Sequence, residues 1–294
     1  MKLAIVILNY NGKEFIPECL ESIRQLKAGS DSIHTIVVDN ASTDISPQLI
    51  ENQFSEITLI RNQKNLGFAE GNNVGIRSAL ETGFDAVMLL NNDTKVHPDL
   101  VKHLLAADAP LTSPKIYFYP GFEFHHDRYK SAERGKVIWY AGGSIDWNNV
   151  LGIHRGVDAV DRGQYDQEAD LDFATGCCLL IRRQVFDQIG LLDPKYFLYF
   201  EDLDFCVRAR RAGFTIRYEP KAVLWHKNAQ SSGSGGTLHQ YYFTRNRLLF
   251  GLRYAPWKTK QALVRESLKK LFTGTPAEKQ GIRDFYLRRF GAKA

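Results

Sequence analysis

In "MLLNNDT" (88–94) an apolar run ends in three oxygen-bearing side chains, Asn91, Asn92 and Asp93. A carboxylate after a buried strand suits a hard divalent cation such as Mg²⁺ or Mn²⁺, which takes one or two carboxylates and completes its shell with phosphate oxygens and water. One carboxylate is a poor trap alone, so metal at Asp93 is expected together with a diphosphate. Asn91 offers a weaker oxygen ligand or a hydrogen bond to a sugar hydroxyl. His226, ending "AVLWH", is a second candidate ligand. Asp39, in "VVDNASTD", can accept the imide N–H of uracil or thymine, a donor that adenine lacks, and Tyr10 can stack on such a base. Glu201, Asp202 and Asp204 crowd one helix start behind the apolar stretch 197–200. Burial beside like charges raises a carboxylate pKa, which suits a general base. Each feature also has an ordinary structural reading: a turn or helix cap for Asp39, dipole complement for the acidic triplet, a core histidine for His226.

The elements that would position these residues follow a repeating pattern. "LAIVIL" (3–8), "IHTIVVD" (33–39), "ITLIR" (57–61) and "DAVMLL" (85–90) read as strands, the first a continuous apolar run suited to burial on both faces. Between them apolar residues recur at helical spacing, as in Phe15, Ile16, Cys19, Leu20, Ile23 and Leu26. Repeated β-α units predict a mostly parallel, Rossmann-like α/β sheet flanked by helices, with ligands beyond the carboxyl ends of the strands. Three polar clusters stand at those ends: "NYNG" with Asn9, Tyr10 and Asn11, "DNASTD" with Asp39, and "NNDT". Residues 110–165 read as an insertion of short strands or loops. A strand and short helix return at 173–190, then a helix over 200–213 and a strand over 214–226. "SSGSGG" (231–236) reads as a flexible loop. Beyond it a helical extension is expected, interrupted near Pro256 and Thr273–Pro276. The expected division is a catalytic domain over 1–236 and a basic helical extension over 237–294.

Composition narrows the classes. The chain has 294 residues, 44% hydrophobic and 24% charged, which is ordinary for a water-soluble globular protein. No apolar stretch approaches the ~18 residues that span a bilayer. The N-terminal apolar run is too short for a secretory signal. Cys19, Cys177, Cys178 and Cys206 show no metal spacing, so a reducing cytoplasm is the expected location. Residues 251–294 carry eleven Lys and Arg against three acidic residues, +8 within a chain of net +5, which leaves −3 for residues 1–250. A basic tail behind an acidic body suits an anionic surface, either phospholipid or a phosphorylated substrate, and also suits a plain solvated helix. Neither G-x-G-x-x-G nor G-x-x-x-x-G-K-[ST] occurs, which disfavours the usual dinucleotide and P-loop sites. A sugar-1-phosphate nucleotidyltransferase would want a glycine-rich loop after the first strand, where this chain has "NYNGKE".

"VILNYNG", "VVDNASTD", "NLGFAEGNNVGI", "LLNNDT", "ATGCCLLIRR", "YFEDLDFCVRARRAG" and "LWH", in that order, resemble the family-2 glycosyltransferases. The set is most similar to their rhamnosyltransferase-like branch, which builds bacterial surface polysaccharides, and "YYFTRNRLLF" (241–250) is similar to a segment of that branch. The resemblance spans roughly residues 1–250. It implies a GT-A fold, a nucleotide-sugar donor, a divalent metal (Mg²⁺ or Mn²⁺) and transfer with inversion. It puts Asp39 in the base-recognition place, Asp93 in the metal place and Asp202 in the place of the catalytic base, with Glu201 in support and His226 near metal or diphosphate. Asn65, Gly67 and Asn73 match the segment lining the donor pocket. One departure is Asn91, where the metal motif's first acidic residue would stand. The implied donor is dTDP-rhamnose, with a UDP-sugar as alternative. The implied acceptor is a saccharide or lipid-linked saccharide, with no nucleic acid partner and with peripheral membrane contact through the basic C-terminus in view. A nucleotide-sugar-binding partner protein without catalysis is the competing reading.

Overall fold

A computed structural model describes residues 1–27, 31–228 and 236–293 of the chain. The first half builds β1 (Lys2–Asn9), α1 (Ile16–Arg24), β2 (Ser32–Asp39), α2 (Ser46–Gln53), β3 (Thr58–Arg61), α3 (Gly67–Glu81) and β4 (Ala86–Asn91). Leu3 to Ile7 and Ala86 to Leu90 are buried along their whole length, because helices cover both faces of these strands. β1 pairs in parallel with β2 and with β4, and β2 with β3. The chain therefore reverses its direction of travel across the sheet between β3 and β4, leaving a crevice at the strand ends beside β1. Asn9 lies opposite Asp39, and Leu8 opposite Asn91, so the three polar clusters stand level with one another.

Beyond β4 the sheet becomes mixed. The second half runs through β5 (Thr94–Val96), α4 (Leu100–Ala106), β6 (Leu111–Phe118), β7 (Ile138–Tyr140), β8 (Gly143–Asp146), β9 (Leu151–His154) and β10 (Ala169–Asp170). Then come β11 (Cys178–Arg182), α5 (Arg183–Ile189), α6 (Glu201–Arg211) and β12 (Ile216–His226). The strand order is β10-β12-β6-β11-β4-β1-β2-β3, with β5 on β12 and β7 on β6. β11 runs antiparallel to both β4 and β6, whereas β12 and β6 are parallel.

β6 differs from the expected insertion, since it is an eight-residue strand in the middle of the sheet. Its polar composition hid it. Lys115 is buried and ion-pairs with Asp161 at 2.8 Å and with Asp166. Pro114, which cannot donate to a ladder, lies opposite Glu219, where the register of β12 slips before Val223.

The C-terminal extension consists of α7 (Thr237–Tyr254), α8 (Trp257–Thr273) and α9 (Pro276–Tyr286). Pro256 and the Thr275–Pro276 pair break it where expected, and Thr275 caps α9 in a reciprocal box with Glu278. Residues 231–235 of the expected flexible loop lie outside the described residues. Among the described residues no helix is long and apolar enough to cross a membrane.

Candidate active site

The ends of β1, β2 and β4 are tied by side-chain amides. Asn9 Nδ2 donates to Asp39 Oδ1 at 3.1 Å and to Ser46 Oγ at 2.9 Å, and Asn92 Nδ2 donates to Asn9 Oδ1 at 3.1 Å. Asp39 also accepts from the Ser42 N–H at 3.2 Å. Asn11, held at φ 51°, braces the adjacent turn by accepting from the Thr43 N–H at 2.8 Å. Asn40, not singled out in the sequence, joins the next loop: its Nδ2 donates to Asn65 Oδ1 at 2.9 Å and its Oδ1 accepts from the Leu66 N–H at 2.9 Å. The residue type alone gave no sign of this, because Asn40 reads as one more turn amide.

A cleft of about 430 Å³ opens above this floor. Of the expected donor residues, Tyr10, Asn65, Gly67, Asn91 and Asn92 line it. Asp93, His226, Glu201 and Asp202 line it too, so strand ends and the α6 start converge on one space. Asn9, Asn11, Asp39 and Asn73 are not among its lining residues. Asp39 is buried behind Asn9 and Ser42, with lone pairs left on each oxygen. Asn73 instead pins α3 to the chain after α5, donating to the Leu192 carbonyl at 2.9 Å and accepting from its N–H at 3.1 Å. Trp139, Thr175, Gly176, Tyr199 and His239 also line the cleft and were missed. They lie away from the polar clusters at the strand ends, although Thr175, Gly176 and Tyr199 fall within "ATGCCLLIRR" and "YFEDLDFCVRARRAG".

Asp93 and His226 meet through strand register. β5 pairs with β12 so that Thr94 faces His226, which brings His226 Nε2 to 3.1 Å from Asp93 Oδ1. Trp139 stands edge-on to the imidazole at 4.5 Å, and His226 Nδ1 is buried without a hydrogen-bond partner among the described residues. A carboxylate and an imidazole suit Mg²⁺ or, better, Mn²⁺. Among the described residues no group of three or more His, Cys, Asp or Glu gathers to hold a metal, so phosphate oxygens and water would have to complete the shell.

The carboxylates of α6 are presented by an unusual loop. Phe197, Tyr199 and Phe200 all have positive φ, at 63°, 70° and 72°, in the region that L-residues avoid. The loop is held from above by α7 within the segment "YYFTRNRLLF". Asn246, fully buried, donates through Nδ2 to the carbonyls of Tyr196, Leu198 and Tyr199 at 2.7, 2.8 and 2.9 Å. Arg245, also fully buried, donates to the Lys195 and Tyr196 carbonyls at 3.0 Å each, and its Nε donates to Asn246 Oδ1 at 3.0 Å. From the donor side the first N–H groups of α3 close on the same loop, Phe68 N donating to the Phe197 carbonyl at 2.6 Å. Gly67 has φ +78°, and a Cβ there would lie 2.5 Å from that carbonyl. The loop thus links the donor wall to the start of α6.

Glu201 and Asp202 differ in environment. Glu201 is buried, and its Oε2 has no hydrogen-bond partner among the described residues. Burial, and then the charge of Asp202, push its pKa well above the ordinary carboxylate range. Burial raises Asp202 as well, but N–H groups of Gly176 at 3.1 Å and Leu203 at 2.8 Å pull it back by stabilising the anion. Of the two, Glu201 is the one pushed further toward holding its proton, and Asp202 is the one whose anion is met by N–H donors. Asp204 belongs to structure: it is buried against Arg208 Nε at 2.7 Å, Arg253 at 2.7 Å and the hydroxyls of Tyr196 and Tyr254.

An α/β sheet with polar strand ends beside its switch point and a carboxylate-led helix facing them defines the GT-A fold. Solved structures agree: the crystal structure of GalNAc-T7 with UDP, GalNAc and Mn²⁺ superposes with a TM-score of 0.66 at 16% identity, over 97% of this chain and 54% of that one. Residues 4–190 match Glycosyl transferase family 2, and the chain belongs to that family. Among curated relatives, the low-salt glycan biosynthesis hexosyltransferase of Haloferax volcanii is 27% identical over 84% of this chain and 74% of its own length. The N-acetylglucosaminyl-diphospho-decaprenol L-rhamnosyltransferase of Mycobacterium tuberculosis is 26% identical over 87% of this chain and 86% of its own. The protein is a glycosyltransferase.

Proposed function

We propose that this glycosyltransferase inverts the anomeric centre as it moves a sugar from a nucleoside diphosphate to a saccharide or lipid-linked saccharide. The favoured donor is dTDP-rhamnose, with a UDP-sugar as alternative. The observation that carries the reading is the convergence of Asp93, His226 and Asp202 on one cleft whose floor is tied to Asp39. The rhamnosyl transfer named for the mycobacterial relative supports the choice of sugar. An imide-reading role for Asp39 supports thymine or uracil over adenine.

Asp202 acts as general base. Its carboxylate, held ionised by the Gly176 and Leu203 N–H groups, takes the proton of the acceptor hydroxyl while that oxygen bonds to the anomeric carbon. The bond from that carbon to the diphosphate oxygen breaks on the opposite face, and its electron pair leaves with the nucleotide. Burial and the neighbouring Asp202 charge push the Glu201 pKa well above the ordinary carboxylate range, which disfavours a second negative charge beside Asp202. Asn91 and Asn92 orient donor hydroxyls or phosphate oxygens, and Tyr10, exposed at the rim, stacks on the base. Asp93 and His226 would hold Mg²⁺ or Mn²⁺, which when bound supplies positive charge against the departing diphosphate.

A thermal-shift panel tests the donor reading. With dTDP, UDP, GDP, CDP and NAD, each with and without Mn²⁺, stabilisation should appear with dTDP or UDP and depend on metal. A ligand at a hundred times its Kd adds ~2.7 kcal/mol. Stabilisation by NAD alone would contradict the reading.

A further inference from the structure

The helix α8 carries two faces that ask for burial, and only one is used. On the inner face Leu263 packs beneath Gly251 of α7, and Glu266 takes both oxygens to Arg247 at 2.9 and 3.0 Å. Ser267 bonds the Tyr286 hydroxyl of α9 at 2.8 Å, and Lys270 bonds Glu278 at 2.9 Å. At roughly 100° per residue, Trp257, Leu268 and Phe272 fall within about 60° of one another on the opposite side. They are 72%, 50% and 83% exposed. A tryptophan and a phenylalanine left this open on one helix line are unusual for a surface that meets only water.

The charges beside this stripe have one sign. Lys258, Arg265 and Lys269 are exposed along its flank, and the helix's single acidic residue, Glu266, is turned inward to Arg247. The stripe also lies in the segment of +8 behind a body of −3. Aromatic and aliphatic side chains edged by basic ones match the boundary between headgroups and acyl chains of an anionic bilayer.

We propose that α8 docks this protein flat onto an anionic phospholipid surface through Trp257, Leu268 and Phe272, steered by Lys258, Arg265 and Lys269. By helical spacing Leu263, Val264, Leu268, Leu271 and Phe272 fall on one half of the helix; the structure divides them, burying Leu263 against the body and leaving Leu268 and Phe272 outward. The contact would hold the enzyme at the surface that carries a lipid-linked acceptor. It does not depend on the donor assignment.

The test is co-sedimentation of the full chain with vesicles of phosphatidylcholine alone or mixed with phosphatidylglycerol. Pelleting should require the anionic lipid, and Trp257 should be quenched by brominated acyl chains. Arg265→Ser with Lys269→Ser should lower partitioning roughly thirtyfold, at about one basic residue's contribution each. Leu268→Ser with Phe272→Ser should abolish quenching, with melting temperature unchanged in both pairs as the check on folding. Equal partitioning to both lipids, or pelleting that the substitutions leave intact, overturns the proposal. So does a wild-type dimer that the Leu268 and Phe272 substitutions dissolve, since a second copy would then cover the face. Transfer to a soluble acceptor should survive every variant, which separates failure of docking from failure of the catalytic reading.

Discussion

Removing the Asn246 amide should cost catalysis far more than it costs folding. Its Nδ2 serves three carbonyls of the loop that presents Glu201 and Asp202. Losing a buried partner costs ~1–3 kcal/mol per group left unpaired; the Tyr196 carbonyl keeps Arg245, so the Leu198 and Tyr199 carbonyls make that roughly 2–6 kcal/mol. The same loop holds Phe197, Tyr199 and Phe200 at positive φ, a strain of ~1–2 kcal/mol each, or about 3–6 kcal/mol together. The two sums are comparable, so without the amide the loop gains by relaxing out of its left-handed turns while the sheet stays folded. In Asn246→Ala the melting temperature should fall by only a few degrees. Displacing Asp202 by about an ångström should lower kcat at least ~100-fold. Nucleotide affinity, which rests mainly on the strand ends, should change less than about threefold. Asn246→Asp should be worse than Ala, because a carboxylate would face three carbonyl oxygens, although it still accepts from Arg245 Nε. Transfer rates and calorimetric dTDP binding, measured together on both variants, give the answer. An Ala variant with kcat within threefold of wild type, or an Asp variant better than Ala, would refute the reasoning.

Three further outcomes follow from local geometry. Gly67→Ala should destabilise the fold by ~2–4 kcal/mol in a urea melt, since it adds a left-handed penalty to a Cβ 2.5 Å from the Phe197 carbonyl; no measurable loss would mean that α3 can pivot freely. Glu201 binds its proton more tightly folded than unfolded, so its contribution is complete below the unfolded pKa near 4.5 and is lost as pH rises toward the raised folded value. Glu201→Gln should therefore gain stability over wild type between pH 5 and pH 8 in parallel melts, and a constant difference would contradict that sign. His154 packs, partly buried, among Trp139, Tyr140 and Phe173, and desolvation there depresses its pKa to about 4 from 6.5. The unfolded chain binds the proton first, so stability falls by up to ~3 kcal/mol as pH drops from 6.5 to 4, a slope that His154→Gln should flatten.

The parallel half of the sheet was legible because its signal is simple. Strands buried on both faces must be apolar throughout, and where such a run stops the chain has reached the end of the sheet, so polar residues there mark a crevice. That logic reached Asn91, Asn92 and Asp93, which line the cleft, and Asp39, which lies buried at the end of β2 behind it. It failed at β6, whose Thr112, Ser113, Pro114 and Lys115 are all buried; Lys115 pairs with Asp161 and Asp166, Ser113 donates to the Cys178 carbonyl of β11, and Pro114 sits at the slipped register of β12, all distant in sequence. It also failed for Arg245 and Asn246. A helix that buries an arginine and an asparagine reads as one with a polar face until the carbonyls of a strained loop are seen against it. The role given to Asn73 came from resemblance, and its side chain bonds the chain at Leu192, outside the cleft wall.

The most direct test is the Asp202→Asn variant, supplied with dTDP-rhamnose, Mn²⁺ and a saccharide acceptor beside the wild type. Sugar transfer and dTDP affinity are measured on the same preparations. A carboxamide cannot take the acceptor's proton, so transfer should fall by ~100-fold or more, the contribution of general-base catalysis, while dTDP binds within a few-fold of wild type. Transfer within a few-fold of wild type would mean that Asp202 is not the base.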